Sequence, residues 1–431
     1  MVKNFRSNEV NDRQSGQHLL VISGAKNHPE RARTVSPGVR ISLVTRHELL
    51  QRVWNPENYE RLISVPSDTS EEEWLAIARF IHSVDPIDSI VNFTEKDMEV
   101  TAAIAADLGL RSHSRSTARQ VFDKAEMRAR LQSSGVDDTP CRRVRSLDEL
   151  QDVCSELGYP LIAKPVSGVA SQGISLLRGP QDIEGAFSWS VNGAHGLDSA
   201  ELIVETYHEG KHYSVECVSE GGEHLVVGIT EKHVDFTNFI EIGHGVPADV
   251  TEVEAKEIES TVKRMLDALS IQDTVTHTEV VTTATAVRIV ETHLRPGGGR
   301  IANMLKATKR VCLPEIAIRQ YLGQTVFDDV KNSLIAYESS ESKLYAAVRY
   351  ATPAGRGKIR AVKGIEAARE VSGVREVAIL KSAGDELNDL SGGDDRAALV
   401  WAVGSSPGEA MKRAQLGVDS IVFVLEGEEQ K

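Results

Sequence analysis

Long apolar runs are missing from this chain. Nowhere in its 431 residues does one approach the roughly 20 that cross a bilayer, so no membrane partner is expected. The start, 1–17, is polar, lacks the apolar centre of a signal peptide and reads as a disordered tail. Cysteine is scarce: Cys141, Cys154, Cys217 and Cys312 are scattered with no CxxC pair, which disfavours a zinc site and suits a reducing cytoplasm. Basic excess is also missing. With 49 basic against 63 acidic residues the net charge is −14, which argues against a general nucleic-acid binder, whose affinity rests on phosphate neutralisation. The first apolar run, 18–23, is not followed by G-x-G-x-x-G, so no dinucleotide site is expected there.

What remains is the composition of an ordinary globular protein, 41% hydrophobic and 26% charged, long enough for two to four domains. Strand patterns over 18–23, 41–44, 63–65 and 89–93, with helical patterns over 71–82 and 98–108, predict an α/β layer across 18–115. Helices are expected over 124–134 and 146–157, the second opened by Ser146 with Glu149 in a capping-box spacing. The chain then turns strand-rich, over 161–164, 173–177, 201–207, 213–218 and 225–230. A helix over 251–269 and strands over 276–281 and 286–291 follow. Beyond about 330, strands over 343–350 and 377–379 and a helix over 407–414 make a third, β-rich segment.

The chemistry concentrates in a few places. Glu279 and Glu291 each lie in an apparent apolar strand, where an uncompensated carboxylate is costly. On neighbouring antiparallel strands they can point at one spot and supply oxygen to a hard cation such as Mg²⁺, which takes one or two carboxylates plus phosphate oxygens. Two solvent-facing glutamates paired to basic residues is the alternative. His293 follows two residues later on the same strand face. Arg295 enters the turn Pro296-Gly297-Gly298-Gly299, with Arg300 behind it, and a guanidinium there suits the charge that develops in phosphoryl transfer. Upstream, Leu161-Ile162-Ala163-Lys164 ends a strand at a lysine. It runs into Ser167-Gly168-Val169-Ala170-Ser171-Gln172-Gly173, a small-residue loop whose N–H groups can approach phosphates. No G-K-[ST] ends it, so it is not a Walker A loop. Taken alone, it reads as a surface strand with a solvated lysine. Lys124, at a helix start, gains weight only from Lys164. The strand 201–207, leading to His208-Glu209-Gly210, can offer its backbone to an adenine edge or can equally be a hairpin of the core.

Taken together, these residues resemble the ATP-grasp superfamily, and within it the carboxylate–amine ligases, a group that includes the L-amino-acid ligases. The resemblance covers most of the chain from about residue 90. It implies an ATP-grasp fold of α/β (α+β) class: an N-terminal pre-ATP-grasp domain over 18–115, the ATP-grasp domain over 116–330 and a β-rich C-terminal subdomain, like that of biotin carboxylases, over 331–431. It implies ATP contacts from Lys124, Lys164, Ser171, Gln172 and Gly173, hinge contacts from Glu205, Tyr207 and His208, and metal binding by Glu279 and Glu291 with Mg²⁺ or Mn²⁺. Arg295, with Arg300, would steady the acyl-phosphate transition state. The run 241–248 looks like the substrate-side loop. Two positions depart from the pattern: His293 stands where asparagine often serves as a third metal ligand, and His212 where an acid often binds ribose. The implied activity activates a carboxylate with ATP for attack by an amine, releasing ADP and phosphate. A carrier-protein acceptor, a carboxylase using bicarbonate, a nucleotide-binding module without turnover and a homodimer stay open.

Overall fold

The computed structural model describes residues 16–24, 28–167, 173–192, 201–353 and 355–427. They fall into two compact units. One gathers the chain up to Arg115 together with Pro314–Thr325, and the other holds Ser116–Leu313 and Val326–Lys431.

The first unit is a parallel sheet of β1 (His18–Ile22), β2 (Arg40–Arg46), β3 (Arg61–Val65) and β4 (Ser89–Asn92), in the order β3-β2-β1-β4. Both faces of β1 and β2 are covered, which is why they read as continuous apolar runs rather than alternating ones. Leu20, Ile22 and Val44 pack with Trp74, Ile81 and Ile104, while Leu19, Val21, Ile41 and Leu43 pack with Ile318 and Leu322 on the other side. Helix Glu71–Val84 starts at Ser70, which forms a capping box with Glu73. It ends at Asp85, whose Oδ2 accepts from Arg40 at 2.5 Å and Arg61 at 3.1 Å and lies 3.7 Å from His18. One carboxylate thus ties together the starts of three parallel strands.

The second unit is built on two large antiparallel sheets and also holds a small three-stranded one. The smaller of the two large sheets contains β5 (Cys141–Val144), β6 (Leu161–Pro165), β7 (Ser175–Leu177) and β8 (Leu202–Thr206), in the order β5-β8-β6-β7. Helix Leu147–Leu157 packs on it. The expected capping box at Ser146 is half formed: Ser146 Oγ accepts from Glu149 N at 3.1 Å, while Glu149 Oε2 accepts from Arg145 N.

The larger sheet begins with β9 (Lys211–Glu220), β10 (Glu223–Asp235), β11 (Ile240–Val246), β12 (Thr274–Thr282), β13 (Val287–His293) and β14 (Tyr345–Ala351). β15 (Gly357–Lys363) instead forms a small three-stranded sheet with β17 (Glu386–Leu387) and β19 (Val422–Leu425). β16 (Val374–Ile379) and β18 (Ala398–Gly404) complete the large sheet, in the order β13-β12-β9-β10-β11-β14-β18-β16. The C-terminal region therefore shares a sheet with the strands that carry the glutamates. The run 241–248, expected as a substrate-side loop, is mostly strand: β10 runs to Asp235 and β11 returns antiparallel to it through Val246. Helices Ile301–Lys309 and Phe327–Glu338, which the sequence pattern did not reveal, belong to this unit as well. No helix among the described residues is long and apolar enough to cross a membrane.

Candidate active site

Directly opposed residues of an antiparallel ladder share a sheet face. The pairings from β10 through β9 and β12 to β13 therefore write out a polar surface row by row. Lys232 stands opposite His212; Thr230, Ser214, Glu279 and Glu291 form the next row; Gly228, Glu216, His277 and His293 form the third. Glu279 and Glu291 are register partners, so the backbone sets both in one row of one sheet face.

Each carboxylate has cationic neighbours. Lys124 Nζ lies 3.0 Å from Glu291 Oε2, and His293 Nε2 lies 3.3 Å from Glu291 Oε1. Lys232 Nζ bonds Glu279 Oε1 and stands 3.4 Å from Glu241 Oε2 on β11. Burial alone would raise both carboxyl groups, but Lys124 and His293 at Glu291, and Lys232 and His277 at Glu279, hold them well below the usual carboxylate range. Burial works against the Lys232 ammonium, yet Glu279 and Glu241 push its pKa up. The two glutamates fit a Mg²⁺ ion, since they are ionised, paired and oxygen-only. No group of three His, Cys, Asp or Glu side chains converges on one point among the described residues. His293, at the third-ligand position, touches Glu291 and stacks on His277, with ring centroids 5.9 Å apart and planes 14° apart.

Lys124 reaches this surface because Asp123 caps its helix, accepting from Ala125 N and Glu126 N, and because Lys124 N donates to Val166 O just past β6. Lys164 is 4% exposed, and its Nζ donates to Glu205 Oε1 at 2.5 Å. The other oxygen of Glu205 accepts from Arg128 Nε at 2.7 Å, and Arg128 also meets Asp137 at 3.4 Å. Against the cost of burial, Arg128 and Lys164 lower Glu205 to about 2.

Glu205 is paired to β5 and β6 on both sides, and its two carboxylate oxygens accept from Lys164 and Arg128. Tyr207 N donates to Pro160 O at 3.1 Å, and its ring meets Phe239 edge-on at 6.0 Å. His208 Nε2 lies 2.8 Å from Thr139 Oγ1, and burial lowers its pKa. His212 is likewise lowered by burial; its ring stands against Phe236 at 5.4 Å, and Nε2 has no hydrogen-bond partner among the described residues. Ser171 and Gln172 lie outside the described residues. Gly173 packs on Pro165, and its carbonyl accepts from Ser190 Oγ at 2.8 Å.

The glycine-rich turn separates the two arginines expected to act together. Arg295 Nη1 donates to Pro296 O at 2.9 Å. Arg300 has a left-handed backbone, φ 72°, and its guanidinium forks onto Glu376 on β16 at 2.9 and 2.6 Å. Trp401 Nε1 donates to the same carboxylate at 3.0 Å. Arg300 thus meets a carboxylate from the C-terminal part of the large sheet.

Residues that the motif reading missed complete the surface. His277 Nδ1 donates to Glu216 Oε1 at 2.5 Å, and Gly297 N donates to Glu216 Oε2 at 3.0 Å. Burial opposes a charged His277, but Glu216 and Glu279 outweigh it and raise its pKa to about 9. His244 Nδ1 lies 2.6 Å from Glu241 Oε1 and its Nε2 2.7 Å from Gly299 O. The signal was present at 212, 214 and 216, where polar residues alternate in an otherwise apolar strand and are mostly buried.

Two family models match this chain. The family described as ATP-grasp domain matches residues 157–303, and L-amino acid ligase C-terminal domain 2 matches 349–426. The L-arginine-specific L-amino acid ligase of Bacillus subtilis is 23% identical over 380 residues, covering 86% of this chain and 89% of that protein. Alanine–anticapsin ligase of Bacillus subtilis is 25% identical over 246 residues, 53% of this chain and 50% of its own length. An uncharacterized Sinorhizobium fredii protein is 26% identical over 305 residues, 70% of this chain and 61% of its length. The chain thus spans only half to three-fifths of the last two. The crystal structure of L-amino acid ligase from Bacillus licheniformis superposes with a TM-score of 0.79 at 19% identity, covering 96% of this chain and 99% of that one, which shows the fold.

Proposed function

From membership of the ATP-grasp superfamily, with the C-terminal domain of the L-amino acid ligases, we propose that this chain is an ATP-dependent carboxylate–amine ligase acting on amino acids. The observation that carries the reading is the Glu279–Glu291 register pair, faced by Lys124 and Lys232 on one polar sheet surface.

In this reading Lys124 and Lys164 bind the phosphates of ATP as point charges, and Arg128 and Glu205 hold Lys164 in place. His212 Nε2, buried and unpaired, serves the ribose. Glu279 and Glu291 would hold Mg²⁺, which supplies charge neutralisation to the phosphates when bound. A substrate carboxylate oxygen attacks the γ-phosphorus as the bond to the bridging oxygen breaks and ADP leaves. The amine nitrogen then attacks the acyl carbon, phosphate departs, and the nitrogen loses its proton. Arg295 stabilises the negative charge that develops on the transferred group. The chemistry assigned to the site is positioning and electrostatics.

Both substrates are assigned as small molecules, the acid and the amine each an amino acid, as the names of the Bacillus relatives indicate for those proteins. Cys141, Cys154, Cys217 and Cys312 form no disulfide among the described residues, which suits a reducing compartment. ADP release measured with a panel of amino-acid pairs tests the assignment. Pair-dependent ADP with a dipeptide product supports it. Release with bicarbonate alone means a carboxylase, product attached only to a carrier thiol means a loading enzyme, and no release with any acceptor means a binding module. Sedimentation of the same preparation reports whether two copies associate.

A further inference from the structure

Glu216 is completely buried in the polar surface. A buried carboxylate is costly unless donors satisfy it, and here two do, from different elements. His277 of β12 donates to Oε1 at 2.5 Å, and the Gly297 N–H of the turn after Arg295 donates to Oε2 at 3.0 Å. The connection continues on both sides of His277. Its Nε2 stands 3.6 Å from Glu279 Oε1, and its ring stacks on His293, whose Nε2 lies 3.3 Å from Glu291 Oε1. Each glutamate of the pair is therefore backed by the histidine two residues away on its own strand, and the histidines back one another. Gly297 is glycine for a reason of space: a Cβ there would fall 2.8 Å from both Glu216 Oε1 and His277 Nδ1.

We propose that Glu216 and His277 are positioning residues, which dock the turn carrying Arg295 onto the strand carrying Glu279 and, through His293, set the separation of the two glutamates. The inference deepens the ligase reading and rests on it for the identity of what is positioned. Groups that orient metal ligands in this way typically cost 10–100-fold in affinity or activity when removed.

The test uses the full chain and two variants. Glu216→Gln keeps the shape but gives the imidazole and the Gly297 amide a weaker acceptor. His277→Asn keeps a donor near the Nδ1 position while removing the ring that touches Glu279 and His293. Amide hydrogen exchange is followed over residues 294–301, and Mn²⁺ binding in the presence of ADP by electron paramagnetic resonance. Glu216→Gln is expected to speed exchange of the Gly297 amide and to weaken Mn²⁺ about tenfold or more. His277→Asn is expected to weaken Mn²⁺ alone, leaving Gly297 protected by Glu216. Wild-type exchange in Glu216→Gln, or wild-type Mn²⁺ affinity in His277→Asn, overturns the proposal. If Glu216→Gln does not fold, His277→Asn decides. A wild-type chain that binds Mn²⁺ and ADP but releases no ADP with any amino-acid pair defeats the ligase reading and leaves the positioning standing. If it binds no Mn²⁺, the exchange arm alone decides the docking of the turn.

Discussion

Lys124 Nζ stands 3.0 Å from Glu291 Oε2, so the first turn of a helix and the end of strand β13 meet as opposite charges. The contact depends on two unrelated pieces of local structure, the Asp123 cap that starts the helix and the β12–β13 register that aims Glu291. Changing either residue removes an opposite charge from a largely buried neighbour.

Glu291→Gln separates charge from shape. The amide still fills the site but offers Lys124 and a divalent cation a neutral oxygen. ADP release should be abolished, and stability should fall by about 1–3 kcal/mol because the Lys124 ammonium loses its counter-charge. A coupled ADP assay beside a melting curve checks both. Near wild-type turnover would remove Glu291 from the metal site.

Lys164→Ala should weaken ATP binding and also destabilise the fold, because Glu205 keeps only Arg128 as a partner and breaking a buried pair costs about 3–5 kcal/mol. Adding Glu205→Gln removes the stranded charge. The double variant should recover part of the melting temperature and none of the ATP affinity in calorimetry. If affinity returns with stability, the lysine is structural only.

Acid sensitivity of the first unit should centre on Asp85. Its hydrogen bond from Arg40 comes first, and with Arg61 and His18 it outweighs burial, lowering the pKa to about 2 from an ordinary 3.8. A depressed carboxyl contributes stability that is complete above the unfolded value and is lost as pH falls through the folded one. Asp85→Asn should therefore be destabilising at pH 5 and progressively less so between pH 4 and pH 2. A difference in unfolding free energy that stays constant across that window would refute the assignment.

How much of this was legible in the sequence varies with the kind of interaction. Strands β1, β6, β12 and β13 announce themselves because they are apolar runs punctuated by charge. The glutamate pair, Lys124 and Lys164 could be picked out because charged groups at the ends or in the middle of such runs need partners. Which partners they have was not readable. Arg128, Glu216 and Lys232 reach the site through strand register and helix packing, so no spacing in the sequence marks them. The partner of Arg300 was hidden for the same reason: it sits five residues from Arg295, yet its guanidinium pairs with Glu376, 76 residues away. The β10–β11 hairpin was missed because Glu231, Lys232, His233 and Glu241 are polar, and only the surface they build explains why a strand tolerates them.

Arg295→Lys is the sharpest test of mechanism, and Arg300→Lys is its contrast. A guanidinium can hold two oxygens of the transferring phosphoryl group at once, whereas an ammonium offers one point charge. If Arg295 contacts that group mainly as charge develops, its loss lowers kcat and leaves nucleotide affinity near wild type. The expected fall in kcat is on the order of a hundredfold or more, the usual cost of one preorganised donor at a developing charge. Arg300→Lys should behave differently, because its fork onto Glu376 and the Trp401 contact beside it are structural. There the melting temperature should drop while kcat per folded molecule holds. Steady-state kinetics, nucleotide titration and melting curves on both variants separate the cases. If ATP affinity collapses in Arg295→Lys while turnover per bound ATP is kept, Arg295 binds the ground state. If Arg300→Lys loses turnover without losing stability, the catalytic pair expected from the turn is restored.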